Sequence, residues 1–178
     1  TEARDRGQMP RRARDGSGRH LGDVVGTVRV LREPEEIAQF RRGEILVARF
    51  TDPTWTPVFP LARAVVAEIG GWLSHAAIQA RECNLTGVVG VRGVVAAVAP
   101  GTEVWVDGTT GSVVVEPDAG VRAEAERRAR QHDARERTLL EESHLPAETL
   151  DGHAVTLLAN IEFPLEVAAA AERAVEVG

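Results

Sequence analysis

With 178 residues, 43% of them hydrophobic, the chain is long enough to bury one good core with a small appendage. Its 21 basic residues, all arginine, stand against 27 acids; the formal net charge of -6 argues against a dedicated nucleic-acid or anionic-membrane surface. The single cysteine, Cys83, rules out an intrachain disulfide framework, and no apolar run approaches the roughly 18–20 residues that span a bilayer. The charged N-terminus has no apolar segment behind it, so no signal peptide is expected and the chain is placed in the cytoplasm. Aromatic residues are only 4% and tyrosine is absent, so the core must rest on Val, Ala, Leu and Ile.

Residues 1–21 are rich in Arg, Asp and Gly without apolar periodicity and are expected to be a flexible lead-in. Short apolar runs separated by turns then begin. Residues 24–31 alternate as a strand, and residues 33–40 fit a short helix with Pro34 in its first turn. Residues 44–50 form a strand with Ile45, Val47 and Arg49 on one side and Leu46, Ala48 and Phe50 on the other. Two prolines and two threonines between 51 and 57 predict a loop, with a helical turn at 58–63. A buried strand at 64–69 stops at Gly70-Gly71, and residues 74–83 have helical composition. After a very short strand at 88–91, strands at 103–107 and 112–116 flank Gly108-Thr109-Thr110-Gly111, a hairpin signature. Residues 22–117 thus read as a compact α+β unit.

The next stretch differs in kind. Glu124/Arg128, Glu126/Arg130 and Asp133/Arg137 each place an acid four residues before an arginine, as on an exposed helix. Few large apolar residues interrupt it, so residues 118–148 are expected to be a solvated helical linker. Residues 150–153 then make a turn, 154–161 a strand and 164–177 an Ala-rich helix. One strand and one helix cannot bury both faces of the strand, so the chain reads as a fragment of something longer.

Chemistry concentrates at Gly70-Gly71-Trp72-Leu73-Ser74-His75 and the helix that follows. The glycines allow a sharp turn and leave room for a ligand. Ser74 is a natural N-cap, which puts His75 in the first helical turn, where free N–H groups and the helix dipole favour an anion beside the imidazole. Arg81 lies off the i+3/i+4 face, but a long guanidinium reaches far enough to meet a phosphate. A histidine that accepts a phosphoryl group needs this setting: a neutral, oriented ring nitrogen, with donors for the phosphoryl oxygens. From spacing alone a capping or packed histidine is the commoner outcome.

The run resembles the phosphohistidine signature of phosphoenolpyruvate-utilising enzymes, G-G-x-x-S-H-x-A-I-x-A-R-E, at Gly70, Gly71, Ser74, His75, Ala77, Ile78, Ala80, Arg81 and Glu82. Residues 42–47, 51–57 and 87–91, Val106-Asp107-Gly108 and Gly111-Ser112-Val113 are similar to the mobile domain of phosphoenolpyruvate synthases and rifampicin phosphotransferases. The resemblance implies a layered β/β/α swivelling domain at 22–117 that carries a phosphoryl group on His75 between two active sites. Gly70, Gly71, Ser74 and Arg81 would bind the phosphate. The family also places a threonine near the active histidine, and Thr51 is the candidate. Thr149-Leu150-Asp151-Gly152-His153 and Leu158-Ala159-Asn160-Ile161 resemble the beginning of the phosphoenolpyruvate-binding barrel of enzyme I, implying a truncated barrel at 149–178. Implied partners are that barrel and an ATP-grasp or other acceptor domain of the parent protein, with no nucleic acid and no membrane. No cofactor is expected in this piece, although Mg2+ is expected in the full-length enzyme, and the piece alone is not expected to turn over phosphoenolpyruvate.

One departure is Leu85-Thr86-Gly87, where the family has Ile-Pro-Ala; another is the absence of enzyme I's helical carrier-binding insert. Ser74-His75 does not suit a hydrolase, because adjacent helical residues do not face each other. Cys83 with His75, His132, His144 or His153 lacks zinc-ligand spacing. Trp55, Trp72 and Trp105 are expected in core or rim packing, with Trp72 beside the glycines at a docking position. The rival reading is a degenerate swivelling domain kept as a non-catalytic interaction module.

Overall fold

The computed structural model describes residues 12–13, 17–19, 22–142, 145, 147–156, 158–159 and 176–177. Residues 1–130 form one compact unit and residues 131–178 another. The first unit is built on one mixed sheet. Its strands are β1 (Arg12–Ala13), β2 (Ser17–Arg19), β3 (Asp23–Leu31), β4 (Ile45–Ala48), β5 (Ala64–Ala67), β6 (Thr86–Val89), β7 (Glu103–Asp107) and β8 (Ser112–Val115). They run in the order β1-β8-β7-β3-β4-β5-β6-β2. The long strand β3 joins two halves. Asp23 to Thr27 pair antiparallel with β7, and Val28 to Leu31 pair parallel with β4. At the changeover sits Gly26, where a Cβ would come within 3.3 Å of Ile45 Cδ1. β1 and β2 add to opposite edges, on β8 and β6, though only three residues separate them. The sheet must therefore curl to bring those edges near each other.

Period-two alternation distributes the apolar residues over three cores. Ile45, Val47, Ala64, Val66, Val104, Val106 and Val113 meet inside the curl, between the two halves of the sheet. Leu46, Ala48, Val65 and Ala67 face the other way, onto Trp55, Val58, Phe59 and Ala76 from the helical layer. Trp105 and Val114 point outward from β7 and β8 and meet Val121 and Ala125 of the long helix α3 (Ala119–Glu142). These layers are the β/β/α arrangement the sequence implied, with α3 on the far face. The first turns of α3 are thus packed, not solvated, as the charged pattern had suggested.

Most expected elements lie within a residue or two of their observed ends. The short helix is a 3-10 helix, Pro34–Gln39, and the hairpin strands fall where the Gly-Thr-Thr-Gly turn puts them. The stretch expected as a loop and a turn is instead one 3-10 helix, Pro53–Leu61, which buries Trp55, Val58 and Phe59. A further helix, α2 (Val94–Ala97), starts after Gly93 at φ 76°. The helix of the signature is α1 (His75–Glu82).

In the second unit Thr149 and His153 close a turn, with Thr149 N–H on His153 O at 2.9 Å and His153 N–H on Thr149 Oγ1 at 3.0 Å. Strand β9 (Leu158–Ala159) pairs parallel with β10 (Glu176–Val177). The helix expected at 164–177 falls mostly outside the described residues, as do His144, Asn160 and Ile161; its last positions, Glu176–Val177, are strand. No helix among the described residues is long and apolar enough to cross a membrane.

Candidate functional site

The parallel strands β4 and β5 end side by side, and both candidate loops leave from their C-terminal ends. After Ala48, Phe50 leads to Thr51 and to Asp52, whose carboxylate caps the 3-10 helix by accepting from Thr54 N–H at 2.8 Å. Proline at the first helical position suits that start, because its missing N–H would have had no partner. After Ala67, the chain turns at Gly70, whose φ is 152°. A Cβ there would stand 2.8 Å from Ser74 Oγ, so a side chain would displace the cap. At Gly71, by contrast, a Cβ would meet nothing within 4 Å.

Ser74 is the N-cap of α1. Its hydroxyl accepts from Ala77 N–H at a long 3.4 Å, and its carbonyl accepts from Ile78 N–H at 3.0 Å. The N–H groups of His75 and Ala76 precede the first intrahelical bond and are available to an anion at the positive end of the helix. The helix closes at the other end on Asn84, left-handed at φ 54°, with Leu85 N–H on Ala80 O at 2.7 Å.

His75 is half-buried, and two contacts orient its ring. Thr51 Oγ1 lies 2.9 Å from Nδ1, and Phe59 approaches edge-on, with ring centroids 5.7 Å apart. With Nδ1 committed to Thr51, Nε2 is the nitrogen left for chemistry. Burial holds the imidazole below its ordinary value of 6.5, partly opposed by the charge of Asp52. The net lowering suits a nucleophile that must be neutral near pH 7.

Thr51, Gly70, Gly71, Ser74 and His75 therefore converge. Arg81 does not join them: it is exposed on the last turn of α1, six residues and about 9 Å along the axis from His75. Trp72 is 48% exposed and Leu73 84%, with Phe50 and Ile69 also exposed, so an apolar rim flanks the histidine. The sequence reading missed Phe59 and Asp52. Asp-Pro is a helix-start signal that could have revealed the capped 3-10 helix carrying both.

Residues 40–111 match the family model for the PEP-utilising enzyme, mobile domain. Over 94 residues the chain is 39% identical to an uncharacterised phosphotransferase, YvkC, of Bacillus subtilis, covering 53% of this chain and 11% of that protein. It is 38% identical over 112 residues to a probable phosphoenolpyruvate synthase of Staphylothermus marinus, covering 58% of this chain and 13% of the relative. A rifampicin phosphotransferase of a Streptomyces species is 39% identical over 108 residues, which is 61% of this chain and 12% of that one. The chain thus spans only about an eighth of the length of these relatives. A solution structure of Enzyme I superposes with a TM-score of 0.50 at 27% identity, over 55% of this chain and 40% of that one. In fold, signature and sequence, residues 40–111 are similar to the mobile domain of phosphoenolpyruvate-utilising enzymes.

Proposed function

We propose that the chain carries a phosphoryl group on Nε2 of His75 between two active sites of a larger phosphoenolpyruvate-utilising phosphotransferase. The observation that carries this reading is the 2.9 Å contact of Thr51 Oγ1 with Nδ1, made at a helix N-terminus with spare N–H donors. In the reactive tautomer Nδ1–H donates to Thr51 Oγ1 and leaves a lone pair on Nε2. That pair attacks phosphorus; the N–P bond forms as the P–O bond to the leaving group breaks, and the leaving oxygen takes the electrons. The N–H groups of His75 and Ala76 offer hydrogen bonds to the phosphoryl oxygens. Gly71 leaves open space in the turn that leads into the helix. Arg81, from its exposed position, would reach the phosphate only through its long side chain.

On this reading the donor and acceptor sites, with the Mg2+ they use, belong to other parts of the parent protein. The implied partners are therefore a phosphoenolpyruvate-binding barrel and an acceptor domain. The test supplies such a barrel in trans with phosphoenolpyruvate labelled in its phosphoryl group. Label should appear on the chain, vanish in acid, survive base, and be absent from His75→Ala. Label that persists in His75→Ala, or that resists acid, overturns the assignment; an unlabelled wild-type chain beside a competent barrel points to a non-catalytic module.

A further inference from the structure

Asp23 and Asp107 are paired across β3 and β7, and both carboxylates are buried, at 3% and 0% side-chain exposure. Two adjacent acids in such a place need a cation, since burial penalises each charge and each repels the other. Arg128 of α3 supplies it. Its Nε lies 3.2 Å from Asp23 Oδ2, and its Nη1 donates to Asp107 Oδ2 at 2.9 Å. The guanidinium also stands 5.6 Å from the centroid of Trp105, whose indole N–H donates to Asp23 Oδ1 at 2.8 Å. Asp107 is held in turn by the hairpin, accepting from Thr109 N–H, Thr110 N–H and Thr110 Oγ1–H. Strand, hairpin and helix meet at one arginine.

The apolar contacts follow the same boundary. Asp118 caps the helix through Val121 N–H at 2.9 Å, Val121 and Ala125 pack on Trp105 and Val114, and Arg122 pairs with Glu103. Beyond Arg130 this changes. Gln131, Ala134, Arg135, Arg137, Thr138, Leu139 and Glu141 are all exposed, and the compact unit ends at Arg130.

We propose that Arg128 is a clasp that makes the first three turns of α3 part of the rigid body bearing His75, so that the helix yields only C-terminal to it, past Arg130. The proposal stands whether or not His75 carries phosphate, and its test uses no phosphoryl chemistry. Limited trypsin digestion and amide hydrogen exchange are followed on the full chain and on Arg128→Met. In the wild type, cleavage after Arg135 and Arg137 should precede cleavage after Arg122 and Arg127, and amides 122–128 should exchange as slowly as those of β7. In Arg128→Met, two uncompensated acids remain, and exchange at 122–128 should quicken by at least about ten-fold while β4 and β5 keep their protection. Wild-type cleavage at Arg122 or Arg127 as early as at Arg135 overturns the clasp, as does an unchanged exchange pattern in Arg128→Met. Should that variant lose protection throughout, Arg128→Lys, which keeps the charge but not the forked geometry, replaces it with the same criteria.

Discussion

Thr51 holds His75 at a nitrogen that the proposed transfer does not use, which separates positioning from reactivity at single-residue scale. Thr51 is nearly buried, and valine matches its shape, so Thr51→Val should keep the fold, at a cost of about 1 kcal/mol for the lost hydrogen bond. Without it the ring is free to turn about an axis set only by the edge of Phe59, and the tautomer with a proton on Nδ1 loses its acceptor. Phosphorylation of His75 by a barrel supplied in trans should slow by about ten- to a hundred-fold, the range expected when a reacting group is misplaced by an ångström. Thr51→Ser should recover most of that rate, because it restores the hydroxyl. Equal rates for wild type and Thr51→Val would show that packing alone orients the ring.

At the scale of elements, the turn between β5 and α1 gives its two glycines different work. Gly70 combines a φ of 152° with a Cβ position 2.8 Å from the capping hydroxyl of Ser74. Gly70→Ala should therefore destabilise the unit by roughly 1–3 kcal/mol, from backbone strain and a lost cap together. Gly71→Ala, with open space around the new methyl, should stay within about 0.5 kcal/mol of wild type in urea unfolding. Any loss of phosphorylation in Gly71→Ala would then report on the room in the turn that leads into the helix. A cost for Gly71→Ala as large as that for Gly70→Ala would contradict this division. The strand, double glycine, cap and helix were readable in order because each has its own local signal. The 3-10 helix Pro53–Leu61 was not, because Pro57 and Pro60 inside it read as breakers. A 3-10 helix that leaves its prolines exposed while Trp55, Val58 and Phe59 plug the core is decided by packing and not by propensity. Four-residue α2 was hidden for a similar reason: one turn is too short for periodicity to register. The Arg128 clasp was concealed by its own pattern. Glu124/Arg128 reads as a surface i,i+4 pair, whereas the arginine turns inward to two acids more than twenty residues distant in sequence.

For the whole molecule, the buried charges dictate how stability responds to acid, and two stages follow. Burial lowers the folded-state value of His75 below 6.5, so the folded chain binds its proton less readily than the unfolded chain. The unfolded state then holds more protons as pH drops, and stability is lost as pH falls from about 6.5 toward and below the folded value. The second stage belongs to the carboxylates. Hydrogen bonds from Arg29 lower Glu44, and burial, which alone would raise Asp107, is outweighed there by hydrogen bonds from Thr110 and Arg128. Their contributions are intact above the ordinary values of 4.5 and 3.8 and vanish as pH falls through the lower folded ones. Asp23 works in the opposite sense: burial raises it in spite of Arg128, so its protonation on folding partly offsets the loss just above pH 3.8. Urea midpoints measured from pH 8 to 4 should therefore decline first in a shallow step that His75→Gln abolishes, and then steeply in a step that this variant retains. Subtracting the His75→Gln curve isolates the histidine, and Asp52→Asn tests its surroundings: removing the opposing charge should deepen the first step and extend it to lower pH from the same onset near 6.5, while the amide keeps the ability to cap Pro53–Leu61. A wild-type curve that tracks His75→Gln between pH 7.5 and 5 would mean that the ring is as free to take a proton folded as unfolded, and the half-buried, neutral nucleophile would have to be given up.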